Sequence, residues 1–225
     1  MPEHTLSPAT GRHPMTLMIA SETPHTRQLA AALGAELLAV PASAGSDSDW
    51  SWAQALEQWR AGTLERDCAA RIVVAVWPPE HASAPLLETD MARWVERCEV
   101  AIAAWFAALG CAQALCEDGG SIVALAETPA PLDCIDWAPE VAVADAVTAL
   151  AKSLARSEGA RGVRVNVVTT PWRMSPAECV APLPPLAAFP GRLDAEVVGA
   201  VRLLLAADAA GLTGTVLRAD CGRSW

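Results

Sequence analysis

The chain has 225 residues, a length that suits one domain with a single sizeable core. Its composition, 52% hydrophobic and 19% charged, is that of a globular protein, and no apolar run approaches the roughly 18 residues expected of a membrane span. A net charge of -10, with 16 scattered basic residues, argues against a nucleic-acid partner, because phosphate neutralisation needs clustered Lys and Arg.

Residues 1–14 (MPEHTLSPATGRHP) are polar and proline-bearing and lack an apolar h-region. They read as a disordered tail ahead of a domain over 15–225, not as a signal peptide, and a cytoplasmic location is expected. Met15 to Ala20 (MTLMIA) is a short apolar run suited to a buried parallel strand, and residues 26–33 then have helical composition. ELLAV at 36–40 is a second strand, followed by a loop rich in Ala, Ser, Gly and Asp. Ser48 or Asp49 can cap the next helix, in which Trp52, Leu56 and Trp59 share one face. RIVVAV at 71–76 is a third strand, stopped by Trp77-Pro78-Pro79 because proline cannot donate to a ladder.

Residues 88–117 form a long helical stretch. Strands follow at 121–125, 162–168 and 214–217, with helices at about 139–157 and 193–207 between them. Each parallel crossover needs a helix-sized connection, so this alternation predicts a doubly wound α/β domain with a parallel sheet. Six prolines between 171 and 190 rule out a long helix there. Such a loop at the carboxyl end of a strand is either a lid over a binding crevice or a plain surface connection. The seven cysteines form no CxxC pair and lie far from the histidines, so no zinc site is expected and the thiols read as free and buried.

Three segments, GGSIVAL, VTALAKSLARSEGARGVRVNVV and TGTVLRADCG, resemble in order and spacing the second half of short-chain dehydrogenase/reductase (SDR) sequences. The resemblance implies a Rossmann-type fold and oligomerisation through the long helix around 92–116, the helix around 141–156 and the last helix and strand. Trp94, Cys98, Ile102 and Trp105 lie along one stripe of the first of these, packing on the sheet or on a neighbour. Trp225 is a further candidate interface anchor.

The family works through a tyrosine, and this chain has none. Aligned on the Lys152-Ser153-Leu154 helix, the resemblance puts Glu140 at the tyrosine position, Ala144 at the lysine position, Glu127 at the serine position and Ala101 near the asparagine position. Carbonyl reduction needs an acid poised near neutral pH and a donor to polarise the oxygen, and alanine supplies neither. Glu127 and Glu140 are expected to be solvated or paired surface carboxylates, with a paired-carboxylate acid/base site as the alternative. The family's glycine turn corresponds to Ala20 through Arg27, with Ser21, His25 and Arg27 at the three glycine positions. Those side chains are expected to fill the space of a dinucleotide, Arg27 acting as a plug or pairing with Glu22. Trp77, on the nicotinamide side, points the same way.

Between Gly34 and Arg71 there is room for one strand-helix unit where the family has two, so six strands are expected. The missing piece is expected to include the strand that holds the adenosine ribose. The leading expectation is a non-catalytic subunit that binds no cofactor. It would associate with an active SDR subunit, which carries the NAD(P), in a hetero-tetramer that acts on a hydroxyacyl or ketoacyl thioester. The alternatives are an atypical oxidoreductase with its own activity, and a homo-oligomeric small-ligand-binding protein.

Overall fold

The computed structural model describes residues 15–42, 51–174, 186 and 189–223. The expected tail, the cap of the second helix, most of the proline-rich loop and Trp225 lie outside the described residues. Six strands form one parallel sheet, β1 (Thr16–Ser21), β2 (Glu36–Val40), β3 (Ala69–Ala75), β4 (Cys116–Glu127), β5 (Arg164–Thr170) and β6 (Val216–Arg218). Their order is β2-β1-β3-β4-β5-β6. Leu17 to Ala20, Ile72 to Ala75 and Ile122 to Leu125 are all fully buried, which is why these segments read as unbroken apolar runs rather than alternating ones.

The helices are α1 (Pro24–Leu33), α2 (Ser51–Thr63), α3 (Met91–Trp94), α4 (Ala101–Leu115), α5 (Ala138–Ser157) and α6 (Val198–Leu205). A π turn over Val95–Val100 joins α3 to α4, so Met91–Leu115 is one continuous helix of 25 residues. By length and composition that helix could cross a membrane, contrary to the sequence expectation. Half of its apolar window is buried within the fold, and Trp105, Ala108, Leu109, Ala112 and Leu115 pack into the core. Trp105 is thus a core residue, and Trp94 packs against the core while half-buried.

Six strands were expected, but the identity of the missing unit is corrected. β2 pairs directly with β1, in register from Leu17 opposite Glu36 to Ser21 opposite Val40. In the doubly wound order the strand beside β1 is the one that reaches the adenosine ribose, so it is the outer strand of this edge that is missing. The order in which strands are added to the sheet reverses between β1 and β3, and the crevice of such a sheet opens there, outside the carboxyl ends of the strands.

The cysteine expectation holds for Cys98, Cys111 and Cys116, which are buried, and is corrected for Cys68 and Cys134, which are exposed. Burial pushes the Cys111 and Cys116 thiols up to about 11.

Candidate functional site

The first turn of the crevice is built from threonines instead of glycines. Thr23 caps α1, its hydroxyl accepting from the Thr26 N–H at 3.1 Å while the Thr26 hydroxyl accepts from the Thr23 N–H at 2.9 Å. This reciprocal capping box, with Pro24 supplying a preset φ in the first turn, starts the helix without glycine. Gly34, left-handed at φ 63°, ends it.

Of the three residues at glycine positions, only Ser21 lines the crevice cavity. His25 stands edge-on to Trp172, with ring centroids 4.7 Å apart, and Arg27 donates from Nη2 to Glu22 Oε1 at 2.8 Å. The pairing of Arg27 with Glu22 was one of the two arrangements anticipated. Arg27 lies on the surface with 62% of its side chain exposed, so it plugs nothing.

The crevice divides into two unlike halves. On the β1–β2 side is a cavity of about 320 Å³, walled by the Ser21–Thr23 turn, the Val40–Ala42 end of β2, Trp52 and Leu56 of α2, Trp77, and Ala101 and Ala104 of α4. Its volume lies at the low end of small-molecule sites. Trp77 is 1% exposed and its indole donates from Nε1 to the Leu125 carbonyl at 2.9 Å, so the ring forms the floor between the halves.

Beside Trp77, at the end of β4, buried ion pairs occupy the crevice, while a second cavity of about 770 Å³ opens between α5 and the ends of β5 and β6, lined by Thr128, Ala144, Lys152, Thr169, Thr170 and Arg218. Glu127, the last residue of β4, accepts from Arg173 Nε at 2.8 Å and 2.7 Å through its two oxygens, and from Nη2 as well. Arg173 also donates to the Pro78 carbonyl at 3.0 Å, lies 5.2 Å from the Trp77 ring centroid and approaches Glu80 at 3.7 Å. It therefore ties the segment after β5 to the segment after β3, with a cation–π contact added to the hydrogen bonds. Burial pushes the Glu127 carboxyl up from its ordinary value, the bonds and charge of Arg173 pulling it back only in part, with Glu80 adding to the rise.

Glu140 lies in the first turn of α5, where an acid meets the positive end of the helix. It accepts from Arg97 Nε at 2.7 Å, the two side chains being 3% and 5% exposed. Arg97 reaches it from the π turn, a local widening of the helix that recurs at special sites. Glu140 Oε2 is buried with no hydrogen-bond partner among the described residues, as is His81 Nε2 near the same pairs. A third buried pair, Arg223 with Asp133 at 2.7 Å and 2.8 Å, closes the β6 end.

The expectation that Glu127 and Glu140 are solvated or paired surface carboxylates is corrected in their placement: both are paired, each with an arginine distant in sequence, but both are buried. Ala144 is buried on the same face of α5 as Glu140, and Ala101 is buried at the start of α4 beside the cavity. Sequence reasoning missed Arg97, Arg173 and Asp133. Nothing in the local sequence marked them: Arg97 stands between Glu96 and Glu99, and Arg173 and Asp133 lie in proline-bearing segments.

A six-stranded parallel sheet with helices on both faces, and a crevice at the switch point beneath a capped first helix, defines a Rossmann-type domain. The chain belongs to the short-chain dehydrogenase/reductase family, its residues 15–224 matching the family model described as enoyl-(acyl carrier protein) reductase. None of the curated proteins compared with the chain matches it significantly in sequence.

Similar solved structures include a short-chain dehydrogenase/reductase (glucose/ribitol dehydrogenase) from Brucella melitensis, at 19% identity and TM-score 0.66, covering 94% of this chain and 97% of that one. Another is the short-chain dehydrogenase/reductase of Serratia marcescens BCRC 10948, at 22% identity and TM-score 0.64, covering 95% of this chain and 100% of that one. A third is a blue fluorescent protein from a metagenomic library in complex with NADPH, at 19% identity and TM-score 0.60, covering 94% of this chain and 98% of that one.

The expectation that this chain binds no cofactor of its own is corrected. A structure with the same fold over nearly the whole chain is an NADPH complex, and the side chains thought to fill the crevice leave its β1–β2 half open. The physical reason is that His25 and Arg27 turn away from the cavity, to Trp172 and Glu22.

Proposed function

We propose that this chain is an SDR-fold protein that binds a nicotinamide adenine dinucleotide by its adenosine end and lacks the family's tyrosine-centred proton relay. The observation that carries this reading is the contrast between an apolar cavity beside β1 and β2 and the buried ion pairs that hold Glu127 and Glu140, the residues at the family's serine and tyrosine positions. Trp52, Leu56, Val40 and Trp77 give the open half an aromatic and aliphatic wall suited to a purine. Ser21, Glu22 and Thr23 line its inner edge, next to the start of α1.

When bound, a nicotinamide dinucleotide supplies a hydride donor or acceptor. Around the other half, the chain's own residues hold position: Glu127 and Glu140 accept hydrogen bonds from Arg173 and Arg97, and Ala144 carries no ammonium to support an acid. Proton transfer by the family's route therefore has no donor at the tyrosine position.

Calorimetric titration with NAD+, NADH, NADP+ and NADPH tests the reading. Saturable binding of at least one of them is expected, retained in Glu127→Gln and lost in Ala104→Trp, which fills the cavity. Absence of binding by all four to folded protein refutes it.

A second reading concerns association. Leu86, Leu87, Met91 and Ile135 are exposed, Leu87 at 99%, and the Ala84 N–H donates to the Asp136 carbonyl at 2.9 Å, which draws the two segments together. This apolar patch favours a hetero-oligomer with an active SDR subunit. Copurification of a dehydrogenase carrying an intact tyrosine and lysine supports it, and loss of that partner in Leu87→Glu ties it to the patch. A monodisperse monomer from the native host contradicts it.

A further inference from the structure

The second cavity, between α5 and the ends of β5 and β6, holds polar groups that the fold leaves unused. Thr170 ends β5 fully buried, Asp220 follows β6 at 5% exposure, and both line this space of about 770 Å³. Neither Thr170 Oγ1 nor Asp220 Oδ2 has a hydrogen-bond partner among the described residues. Asp220 is held through its other oxygen, Oδ1 accepting from the Gly222 N–H at 3.1 Å. A buried polar atom without a partner is costly, so two of them on one cavity mark a place where a bound molecule supplies the missing bonds. The volume falls within the range of small-molecule sites and far exceeds what one bridging water needs.

Two cations line the same space. Lys152, the chain's single lysine, stands on α5 and Arg218 ends β6; both are exposed, and neither forms an ion pair among the described residues. Along β6, Val216 and Arg218 line the cavity and Leu217 does not, as alternation in a strand requires. Arg218 and Asp220 are two residues apart, which keeps their Cα atoms within about 7 Å of each other. Guanidinium and carboxylate are therefore within reach of one small molecule. On α5, Asp145, Thr148 and Lys152 follow one another at helical spacing and share the face that borders the cavity.

We infer that this cavity binds a phosphorylated sugar or polyol, with its phosphate on Lys152 and Arg218 and its hydroxyls on Asp220 and Thr170. A phosphate monoester carries close to two negative charges at neutral pH, which matches two unpaired cations. A carboxylate only accepts, so Asp220 needs donors, and the threonine hydroxyl beside it can serve as donor or acceptor to the same ligand. Asp145 disfavours a ligand that is anionic throughout and offers a further acceptor for a hydroxyl. The site shares no lining residue with the cavity beside β1 and β2, and its assignment is independent of the dinucleotide reading.

Calorimetric titration of the full chain with ribose 5-phosphate and glycerol 3-phosphate tests this, with ribose and inorganic phosphate as controls. Saturable binding of at least one ester is expected, about tenfold or more tighter than either control. Lys152→Ala, Arg218→Ala and Asp220→Asn are each expected to weaken it about tenfold or more, whereas Ala104→Trp, which fills the other cavity, leaves it unchanged. Circular dichroism checks that each variant is folded, and if Asp220→Asn is not, the two variants at exposed positions decide. Binding of neither ester overturns the proposal. So does binding that the Lys152 and Arg218 variants leave unchanged, or that Ala104→Trp abolishes, because the ester then sits elsewhere. Inorganic phosphate binding as tightly as the esters overturns the roles of Asp220 and Thr170.

Discussion

Replacing Glu127 with alanine would strand a guanidinium that is only 8% exposed against a carboxylate side chain that is 1% exposed. Removing one partner of a buried pair costs about 3–5 kcal/mol, far above the 1 kcal/mol or less of a surface bridge. Arg173 keeps its bond to the Pro78 carbonyl and its place over Trp77, so the lower end, about 3 kcal/mol, is expected. For a chain of this size that corresponds to a Tm lower by about 6–12 °C.

Arg173→Met acts differently, because Glu127 then loses the partner that opposes its desolvation. A carboxyl whose folded pKa is raised adds stability that is fully present below the unfolded value, and this stability is lost as pH rises through the folded value. Arg173→Met is therefore more stable at pH 5 than at pH 8, relative to wild type. The double variant Glu127→Leu/Arg173→Met removes both charges and is expected to be near neutral or stabilised. Urea denaturation at the two pH values measures all three. A Glu127→Ala cost below about 1 kcal/mol, or a loss of stability of Arg173→Met on acidification, refutes the buried-pair reasoning.

Thiol labelling gives a second test. At pH 8, Cys68 and Cys134 should react in the native protein while Cys98, Cys111 and Cys116 wait for unfolding, which mass spectrometry of the labelled peptides reads directly. Because Cys111 and Cys116 are raised from 9.0 to about 11, their contribution to stability is intact below pH 9 and fades between those values, a decline that Cys111→Ala should lessen. Trp77→Phe keeps most of the ring but orphans the Leu125 carbonyl, so thermal denaturation should show a loss of about 1–3 kcal/mol. Trp77→Ala also opens a cavity and should cost about 3–5 kcal/mol, with a weaker dinucleotide site measured by titration.

The strand-helix alternation was legible because β1, β3 and the apolar part of β4 are buried on both faces, and burial leaves a plain composition signal. The six-strand count was also readable from the spacing between Gly34 and Arg71, but which unit was missing was not. Pairing of β2 with β1 is a tertiary fact, and ELLAV suits either strand. The site was less legible for a similar reason. Arg97 and Arg173 lie 43 and 46 residues from the carboxylates they bind, and neither propensity nor periodicity links residues at such separations. Glu127, ending an apolar strand, was the visible half of one pair, whereas Glu140 opens a helix where an acid is ordinary. Likewise, side chains at the glycine positions suggested a filled crevice, although their direction depends on the Trp172 and Glu22 contacts that only the fold provides.

The most direct test of the account is a crystal structure of the protein with bound NAD+. The account predicts an adenine ring in the cavity between Trp52 and Trp77, with the Glu127–Arg173 pair retained beside it. An adenine ring anywhere else on the protein would contradict it.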